Sequence, residues 1–247
     1  MNTIKFDRKN VKVIAHRGLS GLETENTNSA FVAAGNRSYF GIETDIHVTP
    51  DDKFVVIHDN LTVRVSNEVI NVEETPYTKI RSVKLNNICR YDKDGICKND
   101  ERGDLIIPSL AEYVGICRKY EKECVLELKN AFQPKHIKLL AEELKALDYI
   151  ENIVFISFDF DNLVMLRKIL PTAKIQYLVS EYSSNVLEKL NRYNMDLDIN
   201  YKNLTEKAVK EVRENGHEVN CWTCDSKEDA EKLVSWGVDY ITTNILE

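Results

Sequence analysis

The sequence predicts an α/β fold, a (β/α)₈ TIM barrel with a small insertion after the second strand and its antiparallel return. The chain has 247 residues, close to the length usual for one such domain. Short apolar, β-branched runs alternate with helical patterns, which is typical of parallel β/α architecture. Eight of these runs are strand candidates: residues 11–15, 41–46, 124–128, 153–157, 174–179, 196–199, 217–222 and 238–242.

The helical segments between these runs have readable ends. Ser109 and Glu112 have the spacing of a capping box, and Pro134 suits a first helical turn. Five helices are predicted in this way. Two begin at Ser109 and Pro134, and a third stops at Pro171. The last two run from Thr205 to about Gly216 and from Ser226 to about Gly237.

Residues 53–58, KFVVIH, form a ninth strand-like run. Only TPDD, residues 49–52, separates this run from the second strand. A parallel partner would need a crossover of a dozen or more residues, so we expect an antiparallel return. That return brings His58 back near Asp45.

Residues 60–107 break the alternation of strands and helices. They are polar and hold few strong strand patterns, so we expect an inserted segment over the barrel mouth. No linker suggests a second domain, and residues 1–247 are expected to form a single one.

Composition and charge narrow the class of function. The formal net charge is −7 and no basic run occurs, so nucleic acid is an unexpected partner. The N-terminus lacks the apolar region of a secretory signal, and no stretch reaches the ~20 apolar residues of a membrane span. Six cysteines then indicate reduced thiols. We expect a cytoplasmic protein without stable membrane association; the oligomeric state stays open.

Chemically reactive side chains are concentrated where predicted strands end, which is where barrel enzymes place catalytic residues. Residues two apart on a strand share one face, which groups Glu43 with Asp45 and Glu127 with Lys129. The complete set is His16, Arg17, Glu43, Asp45, His47, His58, Asp59, Glu127, Lys129 and Trp222.

Three converging carboxylates suit one hard divalent cation, Mg²⁺ or Ca²⁺. Near such a cation, His16 and His58 make a plausible acid–base pair. Arg17 and Lys129 would then hold a phosphate. This combination points to phosphodiester hydrolysis. The predicted metal ligands are Glu43, Asp45 and Glu127.

Structural roles are the alternative for each residue. Asp45 with Arg17, or Glu43 with Lys129, could be buried ion pairs, and a single histidine is often structural. His47 suits a supporting role as well as a direct one. Trp222 suits core packing or an apolar wall for substrate. Cys221 and Cys224 have redox-motif spacing without the expected context.

Several motifs, in order along nearly the whole chain, resemble the glycerophosphodiester phosphodiesterases of the phosphatidylinositol-phospholipase-C-like barrel group. Thr24 replaces the usual proline of one motif, and Asn244 stands where an aspartate is common. The motifs are AHRG (15–18), ETENT (23–27), GIETDIHVTPDDKFVVIHDNLT (41–62), IPSLAE (107–112), LELK (126–129), SFD (157–159), NCWTCD (220–225) and GVDYITTN (237–244).

The resemblance implies metal-dependent hydrolysis of glycerophosphodiesters to sn-glycerol 3-phosphate and an alcohol. By position it implies catalytic histidines at His16 and His58. It also implies phosphate contacts from Arg17 and Lys129 and a pocket wall at Trp222. The carboxylates Glu43, Asp45 and Glu127 match the family's metal ligands.

Three questions stay open from the sequence: which histidine is the base, whether water or a glycerol hydroxyl attacks, and which alcohol leaves. The role of Glu25, as a further metal or hydrogen-bonding contact or as a helix-capping residue, is also open. The rival functions are a lysophospholipase D-type phosphodiesterase and a non-catalytic phosphate-binding barrel.

Overall fold

Eight parallel strands close into a barrel in the computed structural model of the chain, which describes residues 2–88, 90–91, 97–98 and 102–247. Each strand pairs with its neighbours in chain order, and the first and last strands pair with each other. The predicted barrel is therefore confirmed. Its strands are β1 (Lys12–Ala15), β2 (Gly41–Val48), β6 (Glu123–Leu128), β7 (Ile153–Ser157), β8 (Lys174–Val179), β9 (Asp196–Asn200), β10 (Val219–Trp222) and β11 (Tyr240–Thr243).

A ninth strand, β3 (Phe54–Val56), runs antiparallel to the end of β2. Val56 faces Ile46 in the register, and the backbone N–H of Ile57 donates to the carbonyl of Asp45 over 3.1 Å. The predicted antiparallel return is therefore confirmed, and it brings His58 beside Asp45 as expected.

Helices connect the strands around the outside. The capping box at the start of α3 is confirmed, because Ser109 Oγ accepts from the Glu112 N–H and Glu112 Oε2 accepts from the Ser109 N–H. Three helices were not predicted, among them α6, which Ser183 caps. The helices are α1 (Asn28–Gly35), α2 (Tyr77–Ile80), α3 (Leu110–Lys119), α4 (Pro134–Ala146), α5 (Phe160–Ile169), α6 (Ser184–Tyr193), α7 (Glu206–Glu214) and α8 (Lys227–Trp236).

Residues 57–109, the β3–α3 segment, carry a small apolar cluster of their own. Besides α2, this segment contains two short strands, β4 (Arg90–Tyr91) and β5 (Cys97–Lys98). In this cluster, two residues of and beside β3 pack with apolar residues from the rest of the segment. Its members are Val55, Ile57, Val72, Ile80, Val83, Leu85, Leu105 and Ile107.

Alternation along the strands separates two apolar regions. On β6, for example, Leu126 belongs to the main core under the helices, whereas Val125 belongs to a smaller cluster inside the barrel. Glu127 shares the inward face of Val125. The acidic residues Glu43, Asp45 and Asp198 point inward in the same way, next to the core residues Ile42, Ile46, Leu197 and Ile199.

Among the described residues, no helix is both long enough and apolar enough to cross a membrane.

Candidate active site

Three carboxylates meet at the carboxyl ends of two neighbouring strands. Asp45 on β2 lies directly opposite Glu127 on β6 in the parallel register, and Glu43 lies two residues before Asp45. One oxygen from each of the three side chains lies within 4.8 Å of the others. All three are buried, with exposures of 3% for Glu43, 1% for Asp45 and 8% for Glu127. The predicted convergence is confirmed.

This burial makes the three carboxylates electrostatically unequal. Burial and the neighbouring Asp45 raise the pKa of Glu43 well above its ordinary value. The same two causes raise the pKa of Glu127 to about 7. For Asp45, burial alone would raise the pKa, but the charges of Lys129 and Arg17 hold it below the usual range. If all three carboxylates were ionised, their negative charge would therefore exceed what the neighbouring cations compensate.

Two side-chain cations lie beside these three carboxylates. Lys129 Nζ lies 2.8 Å from Glu127 Oε1 and 3.5 Å from Asp45 Oδ1. Arg17 Nε lies 3.6 Å from Asp45 Oδ2, but Arg17 Nη1 bonds to Glu25 over 2.9 Å and is thus shared. Structural ion pairing between Asp45 and Arg17 is present, yet two cations face three clustered carboxylates. Asp45 Oδ1 has no hydrogen-bond partner among the described residues. An all-oxygen donor set with a spare buried oxygen fits Mg²⁺ or Ca²⁺.

Arg17 owes its position to an unusual backbone conformation. Its φ is +53°, in the left-handed region that non-glycine residues seldom adopt. The backbone N–H of Arg17 thereby donates to Glu43 Oε2 over 2.7 Å while the side chain reaches Glu25 and Asp45. The residue thus holds the carboxylate cluster from two directions.

His16 follows β1 and is held by a residue from the other end of the chain. Its Nδ1 lies 2.7 Å from Asn244 Oδ1. The amide nitrogen of Asn244 donates to Asp225, which orients the amide oxygen toward His16. Nδ1 of His16 must therefore carry a proton, so Nε2 keeps its lone pair in the neutral ring. Burial and the neighbouring Arg17 charge lower the pKa of His16 to about 4.

His58 follows β3 and is oriented by a carboxylate. Its Nδ1 lies 2.6 Å from Asp59 Oδ1, while the other oxygen of Asp59 accepts from Arg64 Nε over 2.6 Å. Arg64 also bonds to both oxygens of Glu25. Burial lowers the pKa of His58, although the Asp59 hydrogen bond opposes that shift. Among the residues that the structure describes, neither His16 nor His58 has a hydrogen bond at Nε2, so both present that nitrogen to the site.

A cavity of about 100 Å³ adjoins these groups. Trp222 and Phe158 form one wall, with their rings edge to face at 5.5 Å. Trp222 therefore lines a cavity beside the reactive groups, and its contact with substrate stays a prediction. The lining consists of His16, Arg17, Glu43, His58, Glu127, Ile156, Phe158, Leu178, Asp198, Trp222, Thr223 and Thr242.

A larger groove of about 510 Å³ lies within the β3–α3 segment. None of the predicted site residues lines this groove. The small cavity is therefore the one that adjoins the reactive groups.

The remaining histidines lie outside the cavity lining. His47 is fully buried and bonds to Glu73 of the β3–α3 segment and to the carbonyl of His58, so it supports the return strand. His217 lies in the loop before β10, is 8% exposed and bonds to Asn191 of α6.

Three residues of the site were not among those predicted from the sequence. Asn244 orients His16, and Arg64 joins Glu25 to Asp59, the predicted residue that orients His58. The third is Asp198, a buried acid in the cavity wall. An aspartate within the apolar strand DLDIN was the available signal for Asp198.

Known proteins share both the sequence pattern and the fold. A family model described as "Glycerophosphoryl diester phosphodiesterase family" matches residues 16–247. The glycerophosphodiester phosphodiesterase of Caldanaerobacter subterraneus subsp. tengcongensis is 29% identical over 238 residues, which cover 94% of this chain and 93% of that protein.

Two solved structures have closely similar folds. A glycerophosphodiester phosphodiesterase from Parabacteroides distasonis superposes with a TM-score of 0.77 at 26% identity, covering 95% of this chain and 93% of that one. An Oleispira antarctica phosphodiesterase, solved with its product sn-glycerol 3-phosphate, gives a TM-score of 0.82 at 24% identity, covering 94% and 92%. With the family model matching nearly its full length, this chain belongs to the glycerophosphoryl diester phosphodiesterase family.

Proposed function

We propose that this protein hydrolyses glycerophosphodiesters to sn-glycerol 3-phosphate and an alcohol, using one divalent cation, Mg²⁺ or Ca²⁺. The observation that carries the proposal is the cluster of Glu43, Asp45 and Glu127, whose oxygens lie within 4.8 Å at the barrel mouth beside two histidines. Family membership supports the reaction class. We also propose a single domain over residues 1–247, with 60–107 as an insertion.

Glu43, Asp45 and Glu127 would hold the cation. When bound, the cation would neutralise negative charge on the phosphate and polarise its P–O bonds. Arg17 and Lys129 flank the same cluster and would take the remaining phosphate oxygens. Because the side chains of Arg17 and Lys129 already contact carboxylates, they are held in place before the substrate arrives.

The hydrogen bonds of the two histidines favour a division of labour. His16 has a neutral partner, the Asn244 amide, and its pKa of about 4 keeps the ring unprotonated at neutral pH, so its Nε2 can accept a proton from the nucleophile. His58 has an anionic partner, Asp59, which stabilises a protonated ring and suits donation to the leaving alcohol. Each would act through Nε2, the nitrogen that its partner leaves free.

The direct test is hydrolysis of glycerophosphocholine by the purified protein with Mg²⁺, with Ca²⁺ and with EDTA. We expect release of glycerol 3-phosphate with a divalent cation and loss of that release with EDTA. The Asp45→Asn variant, purified identically, is the control for contaminating hydrolases and should be inactive. Release of choline from lysophosphatidylcholine instead would support the lysophospholipase D alternative. No release from either substrate would overturn the proposal.

A further inference from the structure

One buried acid in the cavity wall has no role in the proposed chemistry. Asp198 points inward from the middle of β9 and is only 2% exposed. Its Oδ1 has no hydrogen-bond partner among the residues that the structure describes. Leaving a buried carboxyl oxygen without a partner costs folding free energy. Packing alone therefore does not account for an aspartate here.

The polar residues beside Asp198 are satisfied without it. On the flanking strands, Asn220 donates to Gln176 Oε1 over 3.0 Å and accepts from Thr242 over 3.2 Å. Asp198 lies opposite Asn220 in the register of β9 and β10, yet it takes no part in this chain of bonds. Its carboxyl group remains available to a ligand.

A second polar atom of the same cavity is also unpaired. The indole Nε1 of Trp222 is buried and has no hydrogen-bond partner among the described residues. Trp222 lies opposite Asn200, so it stands one inward-facing level above Asp198. A buried donor and a buried acceptor thus line one cavity, and each lacks a partner.

The rest of the lining indicates what kind of group would fill this space. Ile156 and Leu178 are apolar and nearly fully buried, and they suit C–H groups. A volume of about 100 Å³ corresponds to roughly three liquid waters, which suits a group as small as a three-carbon polyol. A hydroxyl group can accept from an indole N–H and also bond to a carboxyl oxygen.

We propose that Asp198 and Trp222 Nε1 form a subsite for the terminal hydroxyl of the glycerol moiety, the one farthest from the phosphate. This inference rests on the proposed function and names its specificity determinant. The subsite makes the enzyme prefer glycerol diesters to diesters that lack this hydroxyl. Asp198 is thus a substrate-binding residue in the wall of the cavity that adjoins the charged cluster.

The test compares two substrates that differ by one oxygen, glycerophosphocholine and 2-hydroxypropyl phosphocholine, which retains the middle hydroxyl. The wild-type enzyme should prefer the glycerol diester by about 10-fold or more in kcat/KM. In Asp198→Leu, a variant of similar size, the two values should become nearly equal. Asp196→Asn on the same strand is the matched control, because Asp196 bonds to the Glu218 N–H and does not line the cavity. It should keep the wild-type preference.

Two further measurements separate the competing explanations. Calorimetric binding of sn-glycerol 3-phosphate against propane-1,2-diol 1-phosphate needs no turnover. If the wild type binds sn-glycerol 3-phosphate more tightly and Asp198→Leu loses that preference, the subsite is upheld. This holds even if the protein hydrolyses no glycerophosphodiester and the proposed function is wrong. The Tm of Asp198→Leu should be at or above the wild-type value, because an unpaired buried carboxyl is removed.

Three results would overturn the inference. One is an unchanged glycerol preference in Asp198→Leu. Another is a lowered Tm with that preference retained, which would make Asp198 structural. The third is a change confined to the choice between choline and ethanolamine diesters, which would place the leaving alcohol at Asp198. If Asp198→Leu does not fold, Asp198→Asn is used, and a preference undiminished in that variant counts equally against the subsite.

Discussion

The two halves of the barrel differ sharply in chemistry. Strands β1, β2 and β6, the charged half, carry acids and cations at their carboxyl ends. Strands β7, β8 and β10, the apolar half, carry Ile156, Phe158, Leu178 and Trp222 at the same end. The difference suggests that the charged half performs the reaction and that the apolar half selects what enters.

The halves also differ in how they affect stability. In the charged half, burial and like charges raise the pKa of Glu43 and Glu127, so their ionised forms are disfavoured in the fold. In the apolar half, Ile156 and Leu178 are buried among apolar neighbours, which is favourable by itself. Changes in the charged half should therefore affect rate far more than folding.

The largest expected effect comes from the charged half. His16→Ala should lower kcat by about 10²- to 10⁴-fold, because the proposed base is removed. His136→Ala is the matched control, since His136 bonds to Asp52 and does not line the cavity. Steady-state kinetics with glycerophosphocholine decide the matter. A nearly normal kcat for His16→Ala would remove this histidine from the reaction.

A smaller loss is expected when only the orientation of His16 is disturbed. Asn244→Ala should lower kcat by about 10- to 10²-fold with little change in KM, because the ring loses its partner while Nε2 remains. Asn191→Ala is a close control, because Asn191 bonds to another histidine, His217, and neither residue lines the cavity. Equal losses in both variants would indicate general damage to the fold.

The apolar half should respond through substrate affinity. Trp222→Ala should raise KM by roughly 10-fold and leave kcat less affected, because a wall of the cavity is lost. The only other tryptophan, Trp236, ends α8 outside the site and provides the matched variant Trp236→Ala. A fall in kcat at unchanged KM for Trp222→Ala would contradict the division between the halves.

The smallest expected effect is on stability alone. Burial raises the pKa of Asp196 from its ordinary value of 3.8 to about 6. The raised pKa gives stability that is fully present below about pH 3.8 and lost as pH rises through about 6. Asp196→Asn removes this penalty, so its Tm should exceed the wild-type Tm more at pH 7.5 than at pH 4.5. A pH-independent difference between the two proteins would show that Asp196 does not titrate as described.

The sequence predicted the parts of this molecule that depend on local pattern. β-branched runs located all eight barrel strands, and the four-residue TPDD spacer identified the antiparallel return. Positions at strand ends located the carboxylate cluster, because parallel strands bring their carboxyl ends to one edge. Glu43 and Asp45 were grouped correctly by their two-residue spacing.

Contacts made by barrel closure could not be predicted in the same way. His16 and Asn244 are 228 residues apart and meet because β1 pairs with β11. The sequence around Asp198 does not indicate that Asn220 and Gln176, on the flanking strands, bond to each other and leave Asp198 Oδ1 without a partner among the described residues. The missed helix α1 has an uninterrupted apolar run from Ala30 to Ala34, of which Val32 is exposed, so polar positions do not mark its buried face in the sequence.

The central claim is that the three carboxylates bind a divalent cation, and thermal unfolding of wild type and Glu43→Gln tests it most directly. Without metal, Glu43→Gln should be the more stable protein, because a buried carboxylate with a raised pKa is removed. At 100 times Kd, Mg²⁺ or Ca²⁺ should stabilise the wild type by about 2.7 kcal/mol and the variant by less, which narrows or reverses the order. Equal responses of the two proteins to both cations would contradict the claim.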